Sequence, residues 1–140
     1  QYDGFVRDAS IAVTVDPLSI IFSAGNQGTS GLTRPKVAKN VISVAASENL
    51  RTEIDAGADN LQEVSSFSSR GLAADGRVKP DITAPGQAVS GGRSGPDVLF
   101  GNIDPSHRWS SGTSHAAPQV AGAAALFTQW WKSQNAGANP

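Results

Sequence analysis

SSGTSHAAPQVAGAAALF, residues Ser110 to Phe127, is the stretch that decides the reading. Hydroxyl residues crowd its front, a histidine follows the last of them, and the rest is almost wholly small and apolar. The pattern predicts a helix from Ser114 to Trp131, with Thr113 as its N-cap. Small residues at Ala116, Ala117, Val120, Ala121 and through the Ala123 to Leu126 run cover nearly every face, which fits a helix packed on several sides. Two residues oppose helix propensity. Gly122 costs about 1 kcal/mol in a helix interior, and Pro118 removes the amide that would bond the Ser114 carbonyl. Local rules broken together mark functional sites. Unpaired amides at a helix start favour an anion, including the oxyanion of an acyl-transfer intermediate, so Ser114 is a candidate nucleophile. The plainer alternative is that Ser and Thr merely cap a core helix.

The chain has 140 residues, enough for one domain with a core. Its 11 basic and 12 acidic residues give a net charge of -1 without a run of either sign, which argues against nucleic acid or an anionic membrane as partner. Cysteine is absent, excluding disulfides, thiolate metal sites and a cysteine nucleophile. Methionine is absent too, and the chain begins at Gln1 without a signal peptide, as expected of a processed chain or an excised piece. Apolar runs fall far short of the roughly 20 residues that span a bilayer.

Upstream of the helix, Ile11-Ala12-Val13 and Leu18 to Phe22 are apolar runs, the second halted by Ser-Ala-Gly-Asn at Ser23 to Asn26. Val41 to Ala46 reads as a second buried strand, with shorter strands at Val64 to Ser69 and Asp81 to Ala84. Glu48 to Glu63 reads as a charged surface excursion and Gln87 to Arg108 as loop. Continuous apolar strands imply a sheet covered on both faces, hence an α/β fold. One strong helix among four or five strands is too few for such a sheet, so the chain reads as part of a larger domain.

GTSHAAPQVAG resembles the serine signature of the subtilisin family of serine proteases, Gly-Thr-Ser-x-Ala-x-Pro-x-Val-Ala-Gly. Gly112, Thr113, Ser114, Ala116, Pro118, Val120, Ala121 and Gly122 match, eight positions in an eleven-residue window. FSAGN (Phe22 to Asn26) and Ala84-Pro85-Gly86 match two further family motifs in the family's order. SFSSRG, DGRVKPDITAPG, AKNVISVAASENLR and the opening YDGFVRD resemble the larger bacterial alkaline proteases of this family. The resemblance implies a three-layer α/β/α domain with a mostly parallel sheet. Residues 1–132 are then the C-terminal part of a catalytic domain and residues 133–140 a linker or tail.

The resemblance also implies roles. Ser114 is the nucleophile of a serine endopeptidase, and Asn26 donates its side-chain amide to the oxyanion alongside the Ser114 backbone amide. Ser23, Ala24 and Gly25 line one wall of the pocket for the substrate side chain before the scissile bond, with protein or peptide substrates as partners. The family's base and carboxylate motifs, His-Gly-Thr-His and Asp-Ser-Gly or Asp-Thr-Gly, are not present. His115 adjoins Ser114, and successive residues on a helix do not face each other, so it reads as packing or a supporting contact. His107 has no family role, and neither Asp3 nor Asp81 sits in the aspartate motif. Alone, the chain is expected to be inactive and to self-associate through an open sheet edge or apolar faces. Secretion is expected from the family.

Other signals weigh less. Gly25, Gly28 and Gly31 match neither a dinucleotide fingerprint nor a phosphate loop. Glu53, Asp55 and Asp59 are either ligands for a structural calcium, which the family often binds, or a solvated acidic loop. No cofactor is required for the chemistry. Trp130 and Trp131 read as core or domain-interface packing. Two other classes compete. A degenerate subtilase that works by binding would keep the fold but not the chemistry. An α/β-hydrolase needs Gly two positions after its serine, where Ala116 stands.

Overall fold

The apolar runs before Ser-Ala-Gly-Asn and before Glu48 become neighbouring parallel strands, because neither carries the alternation that would leave one face wet. The computed structural model describes residues 1–9, 17–93 and 101–140. Its elements run α1 (Tyr2–Arg7), β1 (Ile21–Ser23), a 3-10 turn (Gly28–Ser30), β2 (Ile42–Ser47), β3 (Gly71–Leu72), β4 (Val78–Lys79), β5 (Ile82–Pro85), β6 (Val89–Gly92), β7 (His107–Ser110) and α2 (Thr113–Gln134). The apolar run at Ile11 to Val13 lies outside the described residues.

The central sheet is parallel in the order β1-β2-β5, with Phe22 beside Ser43 and Ala46 beside Ala84. A buried ammonium fixes its register: Lys79, 2% exposed, donates to Asp81 Oδ2 at 2.7 Å and to the Val41 carbonyl at 3.0 Å. The same Asp81 oxygen accepts the Ser43 amide at 2.7 Å. Helix α2 lies across one face of this sheet. Its Ala116, with Ala117 and Val120 beside it, meets Val44, Ala46 and Ala84, while Ile21, Ile42 and Phe67 complete the cluster. Small residues on both sides let the backbones approach closely.

Five expectations from the sequence need correction. Val64 to Ser69 is not a strand; only Val64 makes a bridge, to Ser47. The serines after it turn inward. Ser68 Oγ accepts the Ala46 amide, Ser69 Oγ accepts the Gln27 amide, and Ser65 N donates to the Ala46 carbonyl. Hydroxyls thus satisfy backbone groups that a strand would have paired. Within Gln87 to Arg108, β6 and the start of β7 pair antiparallel, His107 against Gly92 and Arg108 against Gly91. Thr113 is the first helical residue, behind Gly112 as N-cap. Helix α2 is not buried on several sides among the described residues: Thr113 and Ala116 are buried, whereas Leu126, Phe127 and Trp130 are 69%, 51% and 56% exposed. The helix also ends later than expected, at Gln134.

The loop after β5 sets where α2 begins. The Gly86 carbonyl accepts the Gly112 amide at 2.7 Å, and a Cβ on Gly86 would lie 2.5 Å from Ala46 Cβ and 2.9 Å from the Gly112 carbonyl. Only glycine fits that gap. We expect Gly86→Ala to destabilise the intact protein by about 1–3 kcal/mol, the cost of overpacking a tight core, read as a lower urea midpoint. An unchanged midpoint would show that the β5–α2 junction relaxes freely.

Candidate active site

Strand β1 ends in Ala24, whose amide bonds the Val44 carbonyl at 2.9 Å, so the sheet delivers Gly25 and Asn26 to its C-terminal end. Ligands in open α/β folds bind beyond that end of the strands. Helix α2 starts at the same place. The β6–β7 hairpin brings Ser110, Ser111 and Gly112 up to it, with Ser111 Oγ accepting the Ala88 amide at 2.9 Å. Gln119 then ties the helix to β5, donating to the Pro85 carbonyl at 2.7 Å and to the His115 carbonyl at 3.0 Å. The second bond lies one residue beyond Pro118, where the helix continues unbroken.

Two distant segments meet at Thr113. Asn26 Oδ1 accepts both the Thr113 amide and the Thr113 hydroxyl, each at 2.9 Å. The Thr113 hydroxyl in turn accepts the Gly25 amide at 3.1 Å. A backbone amide can only donate, so the atom of the Asn26 carboxamide facing it is the oxygen and the NH2 group points away. Asn26 Nδ2 and the Ser114 backbone amide have no hydrogen-bond partner among the described residues. Both border one small space: a Cβ placed on Gly112 would lie 3.4 Å from Asn26 Nδ2 and 3.8 Å from Ser114 N. Ser114 itself is exposed, and its hydroxyl makes no hydrogen bond among the described residues. An exposed hydroxyl beside two unspent donors is an arrangement suited to receiving a carbonyl group.

The histidines are engaged elsewhere. His115 Nε2 lies 2.9 Å from Ser110 Oγ, which anchors the ring to the end of β7. His107 pairs through Nδ1 with Asp104 at 2.9 Å. Hydrogen bonds from the Ser106 amide and from His107 hold the Asp104 carboxyl below its ordinary pKa. This His–carboxylate pair sits at the far end of the hairpin, since His107 is opposite Gly92 while Ser110 is opposite Val89. Three residues of strand, about 10 Å, separate His107 from Ser110. Asp3 accepts the Asn40 amide, which lowers its pKa, and Asp81 is committed to Lys79 and Ser43.

Ser23, Ala24 and Gly25 form the last turn of chain before Asn26, with Ala24 fully buried. In the acidic excursion Asp55 accepts the Gly57 amide and the Gln87 side chain, and Glu48 accepts the Asn60 amide. Among the described residues no three His, Cys, Asp or Glu side chains converge on one point. No helix of the described residues is long and apolar enough to cross a membrane.

Thr113 is the residue whose part the sequence hides. Its hydroxyl is spent on Asn26, 87 positions away, and not on capping its own helix. Nothing local signals this; the Thr-Ser dipeptide reads as a cap either way. Because Thr113 is buried, Thr113→Val should leave the Gly25 amide without its acceptor and cost about 1–3 kcal/mol, seen in chemical denaturation of the intact protein. Stability equal to the parent would mean that these hydrogen bonds are replaced by water.

Comparison with known proteins identifies the family. Residues 6–137 match the Subtilase family. Serine protease AprX of Bacillus subtilis (strain 168) is 39% identical over 137 residues, covering 92% of this chain and 30% of AprX. C5a peptidase of Streptococcus pyogenes is 42% identical over 72 residues, 51% of this chain and 5% of that protein. The structure is similar to that of the prenylagaramide maturation protease PagA, with a TM-score of 0.58 and 28% identity, covering 87% of this chain and 36% of that one. The chain therefore spans under a third of AprX and a small fraction of C5a peptidase. With its α/β architecture, parallel sheet and serine-bearing helix, it belongs to the subtilase family.

Proposed function

We propose that the chain carries the nucleophile and oxyanion half of a serine endopeptidase. The observation that carries this reading is the pair of unpaired donors, Asn26 Nδ2 and Ser114 N, bordering one space beside the exposed Ser114. Ser114 Oγ attacks the scissile carbonyl carbon as its proton passes to the base; the C–N bond then breaks, the amine leaves with that proton, and the acyl-enzyme remains for water to hydrolyse. The carbonyl oxygen gathers negative charge, and the two donors receive it. Thr113 holds the Asn26 amide in place by taking up its oxygen. Such donors are strong because they are fixed before the charge appears. Ser23, Ala24 and Gly25 form one wall of the pocket for the side chain preceding the scissile bond, and their backbone pairs with an extended peptide.

The hydroxyl also needs a base held by a carboxylate. The sequence contains two histidines, and both are bonded away from Ser114. The base and its carboxylate belong to residues beyond this chain, which is the C-terminal part of the catalytic domain; the expected linker or tail from residue 133 starts only at 135, since α2 runs to Gln134. By itself the chain is inactive. No cofactor enters the chemistry; a calcium ion, where one binds, is structural. Location outside the cell follows the family.

A fluorophosphonate probe should label Ser114 in the intact protein and fail on Ser114→Ala. Asn26→Ala should lower kcat about 10²–10³-fold, a magnitude measured on subtilisin for the loss of one such donor. Labelling of the 140-residue chain alone at the rate of the intact protein would overturn the placement of the base outside it. If Ser114 in the intact protein neither reacts nor supports cleavage, the chain is a binding module on a subtilase fold.

The same reading accounts for the open surfaces. Beyond β1 the sheet edge has no partner strand among the described residues, and Leu126, Phe127 and Trp130 stand exposed. Isolated, the chain should associate with itself through these faces. A single monomeric species in sedimentation at high concentration would contradict this.

A further inference from the structure

We propose that Lys36 makes this site selective for substrates carrying an acidic side chain just before the scissile bond. The inference rests on the protease reading above and deepens it. A Cβ built on Gly25, the last residue of the candidate pocket wall, would lie 2.8 Å from Lys36 Nζ. The ammonium therefore occupies the space against that wall. The next nearest atoms to the same point are neutral oxygens, Ser69 Oγ at 3.0 Å and the Gly31 carbonyl at 3.5 Å.

Lys36 does not reach this place by a loose loop. It lies in the turn of residues 34–37, closed by the Ala38 amide on the Pro35 carbonyl at 2.9 Å. Arg77 clamps the end of that turn, donating to the Val37 carbonyl at 2.8 Å. Lys36 is half-buried, and its ammonium has no hydrogen-bond or ion-pair partner among the described residues. A charge removed from water without a counterion is unfavourable, and a carboxylate delivered beside it relieves that cost. A basic substrate side chain meets like charge in the same place.

A charge-assisted hydrogen bond of this kind is worth about 10- to 100-fold in kcat/KM. The experiment compares matched peptides with Glu, Gln or Lys before the scissile bond, cleaved by the intact protein, with Ser114→Ala as the blank. We expect a Glu over Gln ratio of about 10 or more, lost in Lys36→Ala and in Lys36→Met, and a Lys over Gln preference in Lys36→Glu. Equal Glu and Gln cleavage that depends on Ser114 would overturn the role of Lys36 while leaving the protease standing. So would a Glu preference that survives Lys36→Met. Absence of any Ser114-dependent cleavage would overturn the protease reading, and this inference with it.

Discussion

The hydrogen bonds between Thr113 and the Asn26 carboxamide are the constraint on which the rest of the site depends. They join the chain just after β1 to the start of the longest helix across 87 positions of sequence. A donor-only amide and a hydroxyl both hold the carboxamide oxygen, so the side chain has one orientation open to it. Its NH2 group is left facing the helix start, where the Ser114 amide is also unpaired. A single interaction thus sets the direction of one donor and its distance from the other. The oxygen is satisfied within the protein, which leaves the nitrogen for whatever enters.

That junction is held by close backbone approach and buried polar bonds more than by apolar volume. The largest fully buried apolar side chain among the described residues is Val44, and the contacts between helix and sheet are largely alanine on alanine. Serine hydroxyls, the Lys79 ammonium and the Gln119 amide take the place that bulky side chains hold elsewhere. Each such bond contributes about 1 kcal/mol net but costs more when one partner is lost. The larger apolar residues of α2 lie toward its far end, where Phe127, Trp130 and Trp131 stack on one another with ring centroids 5.8 to 6.5 Å apart.

Much of this was legible in residue order. Val41 to Ala46 is buried along most of its length, so its apolar run is continuous and announces itself as a parallel strand, whereas in Asp81 to Ala84 only Ala84 is buried. The Ser114 helix is legible in its long run of small apolar residues, and the motifs around Ser114 and Asn26 single out the two residues that the fold brings together. What stayed hidden is non-local. Val64 to Ser69 has strand-like residue types, yet its serines are used up by amides 20 or more positions away. The β6–β7 pairing is carried by Ser-Gly-Gly, residues with little strand preference, opposite a segment reached only through the chain reversal. Thr113 obeys the local capping rule in sequence and breaks it in space, because Asn26 competes for its hydroxyl.

The alanine and glycine layer under the active-site junction also limits how such a site can diversify. Ala46, Ala84, Ala116 and Gly86 have little or no side chain to trade, so the spacing of helix and sheet is a matter of backbone thickness. Substitution there changes the distance between Ser114 and Asn26 and offers no new chemistry in return. The turn bearing Lys36 touches the same wall from outside the layer, through a side chain four carbons long. Drift in preference is thereby separated from drift in reactivity: the first travels through exposed turns, while the second is closed off by the packing itself.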